Sequence, residues 1–422
     1  MNVTLINTSD TGGGAPVACR RLMDALNSHQ VNAHMLVQQK KTAEKSVHSL
    51  FTGLIGNVRA GFNFLAERVP FLLFQERDKS VRFAFSEANF GTDISKNPWV
   101  LNADVLHLHW TNRGFLAIDD LKKLVNLGKP IVWTLHDMWT FTGGCHYAGG
   151  CNQFQQACGN CPILRNPSPN DLSKKGWLRK QDLYQHANNL HIVTCSNWLA
   201  DIVKHSALLC DFPVQAIPNP IDISFYQAKD KNTVRQKWGI NQNAKILLFG
   251  ATNINDKRKG LVYLLKALEH YKTRFGNDLE LVMFGKNASF KVDELPFKVH
   301  SLPLITSQDD LIELYSLADV FAQPSLEDNL PNMVMEALSC STPVVAFNTG
   351  GLPDLINHQQ NGYLANYPSA ENFAEGIHWI ISHPDKATIK ANARLKVEYS
   401  FSPKIVADQY LALYRSIKAS HE

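Results

Sequence analysis

The sequence predicts an α/β protein made of two doubly wound domains, in which parallel strands form a sheet covered by helices on both faces. At residues 3–7 the apolar run VTLIN is followed by three glycines and the helical pattern APVACRRLMDAL. A strand, a glycine turn and a helix form the first unit of nucleotide-binding α/β domains. At residues 245–250, KILLFG and then KGLVYLLKAL repeat the same order. The length of 422 residues also favours two domains over one core.

Further apolar runs of strand length follow each of these units, most of them separated by helical patterns. This alternation indicates parallel sheets, and we expect a crevice between the two domains. The prolines and turn residues of AIPNPID, residues 216–222, are typical of a linker. The additional predicted strands are AHMLVQ (33–38), DVLHLH (104–109), IVWTLH (131–136), HIVTC (191–195), LELVMFG (279–285), DVFAQ (319–323) and PVVAF (343–347).

The composition is that of an ordinary folded protein, with 45% hydrophobic residues, 19% charged residues and a net charge of +4. No basic tract interleaved with aromatic residues suggests a nucleic-acid partner. The N-terminal stretch MNVTLINTSD has neither a basic leader nor a long apolar run, and no window of 18 uncharged apolar residues predicts a membrane span. We therefore expect a cytoplasmic protein, with peripheral contact at the inner membrane face left open.

The segment from Leu54 to Phe74 is unusually apolar and aromatic. One interpretation is a helical hairpin packed on its own domain. The alternative is a surface that touches a membrane or a lipid-linked acceptor.

The glycine loop at residues 12–14 allows the backbone to approach a ligand, and the N-terminus of the following helix favours an anion. The next strand ends VQQKK, without the acidic residue that would hold an adenosine ribose. This difference argues against NAD as the ligand.

The most specific stretch begins at Pro324, with the sequence PSLEDNLPNMVMEALSC. Glu327 and Asp328 precede a helix predicted to start near Pro331, and Glu336 lies within it. Carboxylates at the end of a strand suit sugar or ribose hydroxyls, while the helix N–H groups can receive phosphate oxygens. The alternative is a cluster in which Asp328 caps the helix.

The chain resembles the retaining family 4 glycosyltransferases of the two-Rossmann (GT-B) type. The resemblance rests on the acid-x7-Glu-Ala pattern from Asp328, on the later PVV and GGLPD, and on ordered landmarks along the chain. The landmarks are the glycine loop, TLHD (134–137), CSNW (195–198), IPNPID (217–222), Lys259-Gly260, FGK (284–286) and SLADVFAQPS (316–325). The stretch WTLHDMWTFTGGCHY further resembles a subgroup that builds bacterial surface polysaccharides. The resemblance covers nearly the whole chain.

The resemblance implies a nucleotide-sugar donor bound mostly by the second domain. Asp328 falls where the family's acid faces the donor sugar, with Glu327 one position away as the alternative, and Glu336 is expected to hold the ribose hydroxyls. Lys259 matches the family's diphosphate-binding lysine, so no catalytic metal is expected. The family's arginine is missing at Asn253, so the alternatives are that Arg258 replaces it or that its loss weakens phosphate binding. The other expected donor-binding residues are Gly13, Gly14, Gly285, Lys286, Asn329, Leu330, Asn332 and Met333.

In the first domain, His136 is expected to contact the donor sugar; the alternative is a structural histidine bonded to Asp137 or to the backbone. His107 and His109 share one face of a strand, and we expect His109 and His146 on the acceptor side. The implied reaction is transfer with retention, in which the leaving phosphate takes the proton of the acceptor.

The predicted organisation is an acceptor-side domain over residues 1–220 and a nucleotide-sugar-binding domain over residues 221–400, with a last helix over 401–422 that packs back on the first domain. The predicted partners are a nucleotide-sugar donor and a glycan or lipid-linked glycan acceptor, with no nucleic acid. Two rivals are a non-catalytic nucleotide-sugar-binding scaffold and an epimerase or phosphorylase-like enzyme on the same fold.

Half of the eight cysteines lie in one stretch, GGCHYAGGCNQFQQACGNC. In a reducing cytoplasm, Cys145, Cys151, Cys158 and Cys161 suit a structural zinc site without an open position, while free thiols and disulfides are the alternatives. The other four cysteines, Cys19, Cys195, Cys210 and Cys340, are expected to be small buried residues.

Overall fold

The computed structural model describes residues 1–286 and 295–420. The chain divides into two compact units, Met1–Pro220 joined by the segment from Pro403 onward, and Ile221–Ser402. The division at residue 220 lies within the stretch predicted as a linker.

The first unit contains seven strands, and its helices alternate with them along the chain. Its elements in chain order are β1 (Asn2–Ser9), α1 (Gly14–Asn27), β2 (Asn32–Gln39), β3 (Val47–Ser49), α2 (Gly53–Pro70), α3 (Pro98–Leu101), β4 (Val105–Leu108), α4 (Ile118–Val125), β5 (Ile131–Leu135), α5 (Leu172–Tyr184), β6 (Leu190–Thr194), α6 (Asn197–Lys204) and β7 (Val214–Ala216).

The second unit has the same alternation with six strands among its described residues. Its elements are α7 (Lys231–Lys237), β8 (Lys245–Asn253), α8 (Leu261–Phe275), β9 (Leu279–Lys286), β10 (Lys298–Leu302), α9 (Gln308–Leu317), β11 (Val320–Gln323), α10 (Asn332–Ser339), β12 (Val344–Phe347), α11 (Leu352–Leu355), β13 (Gly362–Ala365), α12 (Ala370–Ser382) and α13 (Lys386–Phe401). The last helix, α14 (Pro403–Ala419), packs against α1 of the first unit.

Each unit is built on one parallel sheet. The strand order is β3-β2-β1-β4-β5-β6-β7 in the first unit and β10-β9-β8-β11-β12-β13 in the second. All strand pairs in both sheets are parallel. In both sheets the order reverses beside the first strand of the unit, which is the doubly wound arrangement that the sequence predicts.

Alternate residues of the strands fill cores on opposite faces of the first sheet. Ile6 and Leu106 lie in a core that includes side chains from α4 and α6, whereas Leu5 and Val105 lie in a core that includes side chains from α1 and α14. Because both faces are buried, the strands read as continuous apolar runs, and these runs identified most of them in the sequence.

The apolar segment after Leu54 folds as one helix, α2, followed by a π-helical turn at Phe71–Gln75. The prediction of a helical hairpin is therefore wrong, because the segment forms one helix and not two antiparallel helices. Within the described part of the chain, no helix combines the length and the apolar character needed to cross a membrane.

Candidate active site

The acidic turn of the second unit follows β11 and brings Asp328 against two cations. Asp328 is buried, and its Oδ2 lies 2.5 Å from Nζ of Lys259, while its Oδ1 lies 3.7 Å from Nη1 of Arg258. Burial alone would raise the pKa of Asp328, but Lys259 and Arg258 hold it below its usual value. Ser325 donates a 3.4 Å hydrogen bond to the same carboxylate. Asp328 is therefore an ionised carboxylate in the turn that follows β11.

Lys259 and Arg258 lie in a short 3₁₀ turn, Lys257–Lys259, which Asp256 caps by accepting a hydrogen bond from the Arg258 N–H. Arg258 also donates a 3.0 Å hydrogen bond to the carbonyl of Glu327. Gly260 ends the turn with φ +71°, and a Cβ there would stand 1.8 Å from the carbonyl oxygen of Pro324. The lysine turn and the end of β11 can approach this closely only because residue 260 is glycine.

The acidic turn, which contains Asp328, continues into α10, whose N-cap residue is Pro331. Asn329 and Leu330 are buried between the acidic turn and the helix, and Glu327 is half-buried. Glu336 lies on α10 and accepts a 3.1 Å hydrogen bond from the Tyr315 hydroxyl. The acidic motif therefore stands beside a helix N-terminus, as the sequence predicts.

The GG pair of the sequence also supports this turn. Gly350 has φ +59°, and a Cβ there would lie 2.1 Å from the carbonyl oxygen of Asp328, while the Gly351 N–H donates to that oxygen at 3.0 Å. At the end of β9, Gly285 has φ +152° and would place a Cβ 2.3 Å from the Ala251 carbonyl oxygen. Lys286, which follows Gly285, is exposed.

In the first unit, the glycine loop joins β1 to α1. Gly12 has φ +87° and Gly13 has φ +154°, both in the region that side chains rarely adopt. Gly12 to Gly14 are exposed, and no side chain caps the start of α1. A Cβ on Gly12 would meet nothing within 4 Å, so the loop faces open space. This arrangement leaves a helix N-terminus accessible to an anion.

His136 follows β5, where the structure joins it to His109. Their rings are stacked, with Nε2 of His136 2.9 Å from Nδ1 of His109. Nδ1 of His136 lies 3.5 Å from the Cys195 thiol. Burial lowers the pKa of His136 to about 4, so its imidazole is neutral near pH 7. His109 itself is buried, and its Nε2 has no hydrogen-bond partner among the described residues.

His146 belongs to a separate hydrogen-bonded group. Its Nδ1 lies 2.8 Å from Oδ2 of Asp137, and its Nε2 lies 2.9 Å from the Ser86 hydroxyl. Trp110 donates through its indole N–H to the same oxygen of Asp137 at 2.9 Å. His146 therefore ties the loop after β5 to the segment around Ser86. No motif in the sequence pointed to Ser86 or Trp110.

Beneath His136 the structure places a buried polar chain that sequence analysis missed. Nδ1 of His107 lies 2.7 Å from the Tyr414 hydroxyl, and its Nε2 lies 2.7 Å from the hydroxyl of Thr134. The ring of His107 lies 4.3 Å from that of His109. Burial lowers the pKa of His107 to about 3. These hydrogen bonds link Tyr414 of α14 to His107 of β4 and Thr134 of β5.

The four clustered cysteines line one small cavity, together with Phe85 and Phe154. The Gly143 N–H donates to the Cys158 sulfur at 3.1 Å. Burial raises the pKa of the Cys158 thiol to about 11 and also raises that of Cys145. Over residues 1–286 and 295–420, no three His, Cys, Asp or Glu side chains are grouped so that they could hold a metal ion. All eight cysteines are free thiols, and Cys210 is exposed, so the prediction that it is buried is wrong.

Comparison with known families assigns the chain to a class of enzymes. The family model described as "Glycosyl transferases group 1" matches residues 230–396, and that described as "Glycosyltransferase Family 4" matches residues 12–225. The protein is a glycosyltransferase. The chain belongs to glycosyltransferase family 4, as its motifs predict.

Two relatives are similar to this chain over most of its length. WcaC of Escherichia coli K12, a glycosyl transferase named for colanic acid biosynthesis, is 25% identical over 84% of this chain and 85% of its own length. N-acetyl-alpha-D-glucosaminyl L-malate synthase of Bacillus anthracis is 22% identical over 75% of each chain.

Solved structures share the GT-B fold with this chain at low identity. Sucrose-phosphate synthase from Thermosynechococcus elongatus matches with a TM-score of 0.66, 17% identity and 99% coverage of both chains. Anabaena Alr3699/HepE, solved in complex with UDP, matches with a TM-score of 0.64 and 17% identity over 99% of this chain and all of its own. WaaG, a glycosyltransferase of lipopolysaccharide biosynthesis, matches with a TM-score of 0.59 and 16% identity over 96% of this chain and 98% of its own. The predicted fold class is confirmed.

Proposed function

We propose that the protein transfers a sugar, with retention of configuration, from a nucleotide-sugar donor to a glycan or lipid-linked glycan in surface polysaccharide biosynthesis. The observation that carries this proposal is the pairing of Lys259 with Asp328 beside α10. The pairing joins two separate turns, and it brings a cation suited to a diphosphate within 2.5 Å of a carboxylate suited to sugar hydroxyls. The similarity to the colanic acid transferase over most of the chain supports the polysaccharide role.

On the donor side, Lys259 and Arg258 neutralise the diphosphate as it leaves, so the reaction needs no catalytic metal. Glu336 holds the ribose hydroxyls from within α10. Asn329, Leu330, Asn332 and Met333 present backbone groups to the sugar and diphosphate, and Gly285 and Lys286 contact the base. The position of Arg258 supports its role in binding the diphosphate, because Arg258 and Lys259 contact the same carboxylate, that of Asp328. We also assign Gly13 and Gly14 of the first unit to donor binding, because the uncapped N-terminus of α1 beside them favours an anion.

The chemical step replaces one bond at the anomeric carbon with another on the same face. The bond from that carbon to the diphosphate oxygen breaks, and its electron pair stays on the phosphate. The acceptor oxygen forms the new bond and loses its proton to the leaving phosphate. Asp328, ionised and paired, and Glu327 stabilise the positive charge that develops on the sugar ring.

His136 acts as a neutral hydrogen-bonding group toward the donor sugar. Its low pKa excludes a fixed positive charge there near pH 7, and His109 holds its ring through the Nε2–Nδ1 hydrogen bond. We assign His109 and His146 to the acceptor side of the first unit. The contacts of both are internal, so their effect on the acceptor is through the orientation of His136 and Asp137.

The first experiment is a thermal-shift panel of nucleotides and nucleotide sugars without added metal, followed by turnover with candidate glycan acceptors. A ligand at 100 times its dissociation constant adds about 2.7 kcal/mol of stability. We expect one nucleotide and its sugars to raise the melting temperature. Glu336→Ala should remove the shift, while Glu371→Ala, which changes an exposed side chain in the first turn of α12, should keep it. Binding without turnover on any acceptor would favour a scaffold. Donor turnover without acceptor would favour an epimerase.

We further propose that Cys145, Cys151, Cys158 and Cys161, which line the cavity but are not grouped as metal ligands in this structure, close on a structural zinc ion when the metal binds. The shared cavity and the N–H donor to Cys158 support this proposal, since thiolate ligands are oriented and stabilised by such hydrogen bonds. Zinc would fasten the loop after β5 and takes no part in the transfer. A cytoplasmic location, where nucleotide sugars are made and thiols stay reduced, is part of the same proposal.

A further inference from the structure

Helix α2 turns its apolar side chains toward solvent. Together with the π-helical turn that follows it, this helix carries eight large apolar residues with exposed fractions between 38% and 87%. Scattered exposed apolar residues are ordinary, but a continuous group of this size marks an interaction surface. The apolar face of α2, as we call this group, consists of Leu54, Ile55, Val58, Phe62, Leu65, Val69, Leu73 and Phe74.

The spacing of these residues places them along one side of the helix. At about 100° per residue, the six from Leu54 to Val69 fall within about 100° of arc. With a rise of about 1.5 Å per residue, the stripe from Leu54 to Leu73 extends over about 28 Å. It is therefore a long, narrow apolar surface rather than isolated side chains.

The buried side of α2 carries polar side chains beside the small residues Gly56 and Ala60, so the large apolar residues of this helix lie on its exposed side. Asn63 donates to the Thr92 hydroxyl at 2.9 Å, and Arg68 donates to the carbonyl of Phe85 at 2.6 Å. The Glu67 carboxylate accepts a hydrogen bond from the Ala88 N–H at 3.4 Å. Rotating the apolar face inward would break these buried hydrogen bonds, so the outward orientation is fixed.

The charges around the apolar face are mostly positive. From Gly53 to Gln75 the only carboxylate is Glu67, which is buried, while Arg59 is exposed. Just beyond the π-helical turn, Arg77 and Lys79 are exposed, and the nearby exposed carboxylate, Asp78, pairs with Arg77 at 3.2 Å. The surface thus offers cations at its edges and almost no free negative charge.

We infer that the apolar face of α2 is a membrane-docking surface that lies in the plane of a bilayer containing anionic lipid. Exposed apolar side chains would enter the boundary between headgroups and acyl chains, and the flanking cations would meet lipid phosphates. A second copy of this chain would bury the apolar stripe but would also bring Arg59 and Lys79 of two copies together. The inference is independent of the transferase reaction, since it concerns binding without donor or acceptor.

The test is co-flotation of the full chain with vesicles of neutral phosphatidylcholine or of phosphatidylcholine with phosphatidylglycerol. We expect binding to the anionic vesicles, weakened by salt, and a loss of at least about tenfold in the variant Leu54→Ser/Ile55→Ser/Val58→Ser. These side chains are exposed, so the variant should keep the wild-type melting temperature. The matched control is Val262→Ser/Leu395→Ser/Tyr399→Ser, three exposed apolar residues of the second unit, which should bind as wild type does.

A second variant tests the charge separately. Arg59→Glu should weaken binding to anionic vesicles, whereas Arg59→Lys should preserve it. Three results would overturn the inference: no binding of the wild-type chain, equal binding to neutral and anionic vesicles, or equal binding by the serine variant. A wild-type dimer that becomes monomeric in the serine variant, without vesicle binding, would instead identify the face as a contact between copies.

Discussion

Lys259 and Asp328 form a direct ion pair, with Nζ 2.5 Å from Oδ2, although 69 positions separate them in the sequence. The carboxylate is buried, and a buried charge needs a partner. Each group therefore satisfies the other. A bound diphosphate would compete with Asp328 for the lysine, which leaves the carboxylate available to a sugar hydroxyl.

The first prediction concerns this lysine. Lys259→Ala should reduce kcat/KM by about 10²- to 10³-fold, because the developing charge on the leaving phosphate loses its nearest cation. Steady-state kinetics with the donor found by thermal shift would measure the loss. Lys257→Ala, in the same turn but exposed, is the matched control and should have nearly wild-type kinetics. Equal effects of the two substitutions would contradict the role of Lys259.

The second prediction concerns the glycine that follows it. Gly260→Ala should destabilise the protein by about 2 kcal/mol or more, because the residue has φ +71° and the added Cβ would overlap the Pro324 carbonyl. Gly61→Ala is the control, since its Cβ would meet nothing within 4 Å in the interior of α2, and it should be neutral or stabilising by up to about 1 kcal/mol. Urea unfolding of both variants measures the difference. A Gly260→Ala protein as stable as wild type would show that the turn relaxes without strain.

The sequence predicted the parallel sheets well because their strands are buried on both faces and read as apolar runs. KILLFG, for example, became β8 over Lys245–Asn253. The strands it missed are short or lie at sheet edges: β3, β7, β10 and β13. An edge strand such as Lys298–Leu302 is only partly buried, so no apolar run marks it.

For the candidate site, the sequence located motifs but not their partners. The acid-x7-Glu spacing predicts Asp328 and Glu336 as donor-side carboxylates, yet nothing local indicates that Lys259 reaches Asp328. The pairing depends on the parallel order of β8 and β11. The same holds for His136, whose neighbour His109 comes from the adjacent strand β4 and whose thiol contact, Cys195, follows β6.

The third prediction concerns acid stability. Burial lowers the pKa of His107 to about 3 and that of His136 to about 4 in the folded protein, against about 6.5 in an unfolded chain. The unfolded state therefore binds more protons below about pH 6.5, so the stability that these neutral rings contribute is fully present above that pH and is lost as the pH falls toward 4 and 3.

Urea unfolding at successive pH values should show the free energy of unfolding falling across this window. In His107→Gln the slope should be smaller, because one of the groups that gains a proton on unfolding has been removed. The slope is informative even if the variant is less stable at pH 7 through loss of the Tyr414 hydrogen bond. Identical slopes for the two proteins would show that His107 is not held neutral by burial.

The fourth prediction concerns the cysteine cavity. If it holds structural zinc, protein purified without added metal should contain about one zinc per chain by mass spectrometry of the metal. Cys158→Ser should remove the metal and lower the melting temperature, because a structural site contributes its binding energy to folding. Cys210→Ser, an exposed thiol outside the cluster, is the control and should retain both. A different result would contradict the zinc site: wild-type protein that contains no metal and whose four clustered thiols all react with a thiol reagent after unfolding. That result would establish that the cavity is closed by packing alone. Its apolar lining from Phe85 and Phe154 would then account for the stability of the loop.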